Sequence, residues 1–163
     1  MKKILVLLFL VLLTWEVQGR EVPISSLPND GKLPQAQAAK FASQLATAVK
    51  KTLPFKNLNK EFTNVMFIPK NELIFEIVEH GLTRTEEEEA IQNCIELNRA
   101  SRGMVSELLS ANFTQGLCRD KTSYGRMMRT LLVSGIVIQY HYFIGDNFIG
   151  IGTVTKNSLC LFK

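Results

Sequence analysis

Apolar positions along this chain follow three spacings. Ile4–Leu13 is an unbroken apolar run behind the positive start Met1-Lys2-Lys3. Phe41, Leu45, Val49 and Leu53 fall at every fourth position, which draws one stripe along a helix. Ile136, Ile138, Tyr140, Tyr142 and Ile144 fall at every second position against Val137, Gln139, His141 and Phe143, which gives the two faces of a strand.

The remaining elements follow from their borders. Pro34 opens the first helix, alanines at 36, 38, 39, 42, 46 and 48 favour it, and Pro54 ends it. Thr63–Ile68 and Leu73–Val78 read as a hairpin turned at Pro69-Lys70-Asn71, with Leu73, Phe75 and Ile77 on one face and Glu76 on the other. Thr85 with Glu88 reads as a capping box, and Glu86–Glu89 place negative charge in the first turn of the helix it opens. That helix continues through Cys94, Leu97, Ser101, Met104 and Leu108 and ends at Asn112-Phe113-Thr114 and Gly116. Gly103 bends it or admits another backbone. A shorter helix spans residues 121–133 and stops at Gly135. Gly145-Asp146-Asn147 then turns the alternating strand into a return strand over 148–155. Gly150 and Gly152 there point to a close backbone approach or a bulge. The predicted fold is α+β, with about four antiparallel strands in two hairpins, three helices on one face, and the order αββααββ.

The charged start, the apolar run and the small residue at Gly19 describe a secretory signal peptide over 1–19. The run is too short for a comfortable membrane span, which needs about 20 apolar residues. Residues 20–33 hold Pro23, Pro28 and Asn29-Asp30-Gly31 and read as an extended lead-in, and 34–163 as one domain. No later segment is long and apolar enough to span a bilayer, so the processed chain is expected to be periplasmic or secreted.

Export changes the meaning of the three cysteines, because a pair outside the cytoplasm is oxidised. Three pairings are open. Cys118 with Cys160 is preferred, since both sit at element ends, whereas Cys94 falls in an apolar helical stripe and reads as a buried thiol.

The composition is ordinary, at 46% apolar and 21% charged, and the formal charge is +4. A dedicated nucleic-acid binder carries a denser basic patch, so no nucleic acid is expected as partner. Nucleotide-binding glycine motifs and G-x-S-x-G are absent, and no cofactor is expected. His80 and His141 are the two histidines. Glu76, Glu79 and His80 are a conceivable metal cluster, but strand alternation sets Glu79 opposite Glu76. The chain is therefore not expected to be an enzyme. A small hydrolase would need a site assembled from residues distant in sequence. Tyr140, Tyr142 and Phe148, with Arg126 and Arg129, form a candidate binding surface if the outer sheet face is uncovered.

Cys118, a short amphipathic helix, Gly135, the aromatic strand Ile138-Gln139-Tyr140-His141-Tyr142, the turn at 145–147, a returning strand and Cys160 resemble small exported α+β proteins of Gram-negative bacteria. The pattern is similar to the quorum-sensing-regulated virulence factor family and, less closely, to the β-sheet pilotin of type II secretion. The first resemblance implies a secreted or periplasmic protein. The second implies an envelope accessory factor that binds a secretin subunit. The pilotin is a lipoprotein, and this chain has no cysteine directly after its apolar run. Both resemblances imply Cys118 and Cys160 as a structural pair and neither supplies catalytic residues. The reading is an exported protein-binding domain with an unknown protein partner in the envelope or outside the cell. A periplasmic inhibitor or chaperone of an envelope enzyme is the alternative.

Overall fold

A computed structural model describes residues 31–57 and 59–158. The expected signal over 1–19, most of the expected lead-in and Cys160 lie outside the described residues.

Helix α1 (Gln35–Lys50) leads into strands β1 (Phe55–Asn57), β2 (Lys60–Ile68) and β3 (Glu72–Glu79). Helices α2 (Arg84–Ala100), α3 (Met104–Arg119) and α4 (Ser123–Val133) follow, then β4 (Val137–Ile144) and β5 (Asn147–Val154). The strands form one sheet in the order β1-β2-β3-β4-β5. The class is α+β, but the described residues hold five strands and four helices, in the order αβββαααββ. The sheet is mixed, because β3 and β4 are parallel, with Leu73 opposite Ile138 and Phe75 opposite Tyr140. A parallel neighbour needs a long crossover, and the three central helices supply it.

Two expected borders move for identifiable reasons. The capping box is Thr83 with Glu86, two residues earlier than Thr85 with Glu88: Thr83 Oγ1 accepts from Glu86 N–H, and Glu86 Oε2 accepts from Thr83 N–H at 2.8 Å. Leu82, packed against the core, fixes that earlier entry. The expected long helix is two helices. The chain leaves helical geometry at Ser101 and turns at Gly103, whose φ of 86° favours glycine. Asn112, Phe113 and Thr114, expected to end the helix, lie inside α3, with Phe113 and Thr114 buried there.

All four helices pack on one sheet face, around one core. In α1 the contact row is Ala38, Ala42, Leu45 and Ala46, so the alanines are the docking surface and Phe41, Val49 and Leu53 flank it. An aromatic ladder runs through this core. Phe62 meets Phe75 edge-on at 6.3 Å, Phe75 stacks on Tyr140 at 5.6 Å, and Tyr140 stacks on Phe113 of α3 at 4.0 Å. Gly150 and Gly152 face α3, which confirms the close approach expected at those glycines.

Helix α3 also closes the free edge of β5. Ile151 N–H donates to Ser106 Oγ at 3.3 Å and Thr153 N–H to Ser110 Oγ at 2.8 Å. Serines four apart share a helix face, and here they satisfy the edge groups that would otherwise template aggregation. The double change Ser106→Ala and Ser110→Ala should cost roughly 1–2 kcal/mol per orphaned N–H. Urea unfolding and size-exclusion chromatography check it: the variant should unfold at lower urea and self-associate.

Candidate binding surface

Alternation along the strands sends the other set of side chains to the face that the described helices leave open. Four cross-strand rows build it. Asn64, Glu76, His141 and Ile151 stand in one row, and Met66, Ile74, Gln139 and Thr153 in the next. Ile68, Glu72 and Val137 lie on one side of these, and Glu61, Val78, Phe143 and Phe148 on the other. None of the apolar members belongs to the helix-packed core. Phe148 is 55% exposed and meets Phe143 edge-on at 5.4 Å and His141 at 6.3 Å. The face is thus mixed: Phe148, Phe143 and Val78 form an apolar patch at one end, and Asn64, His141, Gln139, Thr153 and the carboxylates Glu61, Glu72 and Glu76 stand among the other apolar side chains.

The five residues expected on a binding surface do not come together. Phe148 lies on the open face. Tyr140 and Tyr142 have 0% and 4% exposure, because their register puts them on the core side. Arg126 is exposed on α4, in the helical layer behind the sheet. Arg129 Nη1 donates to Leu117 O at 2.8 Å and to Asp120 O, so it caps the C-terminal end of α3. The residues that form the face with Phe148 carried a readable signal: Met66, Ile68, Ile74 and Val78 make the second face of the first hairpin apolar too. A strand apolar on both faces is buried twice or uses its outer face for contact.

Glu79 stands opposite Glu76, as alternation requires, and enters the core side at one end of the sheet. Its Oε2 accepts from Tyr142 OH and its Oε1 from Asn59 Nδ2 at 2.9 Å. The Lys60 ammonium sits 5.4 Å from the Tyr142 ring centroid, and burial holds its pKa below the ordinary lysine value against the pull of Glu79. Cys94 of α2 is free and half-buried beside this group, and burial pushes its thiol up, so it stays protonated and unreactive at neutral pH. His80 leaves the sheet and bonds Glu61 Oε2 at 2.8 Å. Glu76, Glu79 and His80 therefore point three ways. Among the described residues no three metal-ligating side chains converge, and no helix is long and apolar enough to cross a membrane.

No protein-family model matches the sequence, and no curated protein sequence matches it. Solved structures share the fold. A secreted-protein candidate of Pseudomonas aeruginosa is 14% identical, with a TM-score of 0.50 over 78% of this chain and 97% of that one. The pilotin EpsS of the Vibrio vulnificus type 2 secretion system is 15% identical, with a TM-score of 0.50 over 78% of this chain and 96% of that one. The type II secretion pilotin AspS of Vibrio cholerae is 14% identical, with a TM-score of 0.49 over 76% of this chain and 94% of that one. The resemblance to the virulence factor family gains no sequence match, whereas the resemblance to the β-sheet pilotin is met at the level of the fold.

Proposed function

We propose that the chain is an exported, non-enzymatic accessory factor of the bacterial envelope that binds a protein through its open sheet face. The observation that carries this reading is the apolar patch of Phe148, Phe143 and Val78, which no helix among the described residues covers. An exposed apolar field on a soluble domain marks a contact site more often than inert surface. The fold shared with secretion pilotins and with a secreted-protein candidate agrees with an envelope role. Cleavage after Gly19 would release the domain on its lead-in. A Cys118–Cys160 bridge would tie the end of α3 to the C-terminus. Cys94 is free while Cys118 is engaged, which fits that pairing. Closing such a loop is worth on the order of 3–4 kcal/mol if unstrained.

A photoreactive residue at position 148, in the cells that export the protein, tests the reading. It should crosslink to a discrete envelope protein, and the same residue at Lys40, exposed on α1, should not. Equal crosslinking from both positions, or none from 148, overturns the proposed surface.

A further inference from the structure

The two edges of the sheet are finished differently. Beside β5, Ser106 and Ser110 of α3 take the outward main-chain N–H groups. On the other side β1 covers only the start of β2, with Phe55 opposite Phe62 and Asn57 opposite Lys60. Thr63–Ile68 therefore form an outer edge with no strand beside it among the described residues. Val65 N–H donates to Asn64 Oδ1, the side chain of the residue before it, at 3.0 Å. In an antiparallel ladder a residue turns its N–H and C=O to the same side, and the side alternates along the strand. Val65 and Phe67 thus present both groups to the open edge, and no loop or side chain among the described residues bonds Phe67 there. Thr63-Asn64-Val65-Met66-Phe67-Ile68 carries neither a charge nor a proline, the residues that ordinarily blunt an exposed edge.

We propose that β2 is a self-association edge: two copies of the chain pair antiparallel through Thr63–Ile68 about a twofold axis at Met66. In this register Val65 faces Phe67 of the second copy, and Asn64 faces its Ile68. Each Val65 N–H exchanges the Asn64 side chain for a Phe67 carbonyl, and each Phe67 N–H gains a Val65 carbonyl. The chain supplies its own end stop. Strand β1 blocks the edge from Phe62 on, so an incoming strand has to leave the sheet beside Thr63. The residue of the second copy that falls opposite Thr63 is Pro69, which has no N–H and opens the turn over 69–71. An extended peptide without such a turn would run into β1. No charge lies inside the paired window, and Met66 meets its own counterpart on the open face. The dimer joins two sheets into one and leaves Phe148, on the far edge strand β5, free. This inference is independent of the partner reading above.

Mild oxidation of the exported chain carrying Met66→Cys tests the register. Residues facing each other in a non-hydrogen-bonded antiparallel pair have Cα atoms about 4.5 Å apart, within disulfide reach. A covalent dimer should form well above the wild-type background, whereas Phe148→Cys, exposed on β5, should give far less. Sedimentation of the wild-type chain should show a dimer that dissociates on dilution, since one strand edge is a small interface. Met66→Lys and Met66→Glu should each weaken dimerisation at least tenfold while circular dichroism stays native, and an equimolar mixture of the two should restore it. A wild-type chain that is monomeric at every concentration, equal crosslinking from 66 and 148, or charge variants that dimerise like the wild type overturns the proposal. If the charge variants fail to fold, the cysteine pair still decides. A cysteine at 66 that captures only a different protein also overturns it. The crosslink from position 148 in exporting cells reports the other end of the sheet and is read separately.

Discussion

Replacing Gly152 with alanine is expected to destabilise the fold by about 2 kcal/mol, and with valine by about 3 kcal/mol or more, within the usual range for overpacked cores. A Cβ at this position would lie 2.6 Å from Phe113 Cδ2 and 3.1 Å from the backbone carbon of Leu109. Neither neighbour can yield cheaply. Leu109 is helix backbone, and Phe113 stacks on Tyr140 at 4.0 Å. The whole of α3 would have to lift from β5, which would also lengthen the bonds from Ile151 and Thr153 to its serines. Gly150 supplies the internal control. Its added Cβ would meet Ser106 Oγ at 3.2 Å and the side-chain ends of Leu109 and Val105 at 3.4 and 3.5 Å. Those groups can adjust by tenths of an ångström, and alanine also lowers the entropy of the unfolded chain, so Gly150→Ala should cost less than about 1 kcal/mol. Paired urea titrations separate the two. Similar losses at both positions would show that glycine's backbone freedom matters there and that α3 is not the constraint.

The local elements were legible because each is short-range. Pro34, Gly135 and the turn at 145–147 sit at element ends in the structure as in the sequence. The alternation of β4 into Ile138, Tyr140, Tyr142 and Ile144 against Gln139, His141 and Phe143 is its burial pattern. What failed was non-local. Pairing of β3 with β4 follows from how three helices fold back over the sheet, and no turn residue announces it. Strand β1 has three residues, too few for any period. The role of α1's alanines was missed because alanine favours helix everywhere, and only packing shows that Ala38, Ala42 and Ala46 let the helix approach the sheet.

The candidate site was half legible for the same reason. That aromatic residues on β4 and β5 matter was readable, but which face is open depends on where the helices land. Tyr140 and Tyr142 are larger than their neighbours and polar at one end, which suits a surface. They are core instead, because the face that α3 and α2 cover is theirs. Arg129 looked like surface charge, yet the end of α3 needs a donor for its last carbonyls, and Arg129 on the next helix reaches them. Glu79 was set opposite Glu76 by alternation alone. Its bond to Tyr142 joins residues 63 apart in the chain and had no sequence signal.

Raising the pH above 10 is expected to unfold the protein cooperatively, with the appearance of tyrosinate and the loss of fold coinciding. The chain has three tyrosines, Tyr124, Tyr140 and Tyr142. Burial holds all three well above the ordinary phenol value of 10.0; Tyr142 is raised further by Glu79, to which its hydroxyl donates. In that range the folded chain keeps protons that the unfolded chain has lost, so stability falls as pH rises. The loss is about 1.4 kcal/mol per pH unit for each group, or roughly 4 kcal/mol per unit for three. Cys94 is raised from 9.0 by burial and starts the decline earlier. Lys60 acts in the opposite sense: burial lowers its pKa, so its contribution rises with pH until the ordinary value of 10.5 and offsets part of the tyrosine loss below that point. The native ensemble should therefore show almost no tyrosinate absorbance up to the transition and all of it beyond, tracking circular dichroism. Tyr142→Phe should flatten the decline by about a third. Tyrosinate that grows in gradually near pH 10 while the circular dichroism stays native would mean that these hydroxyls meet solvent and that the aromatic core under α3 is open.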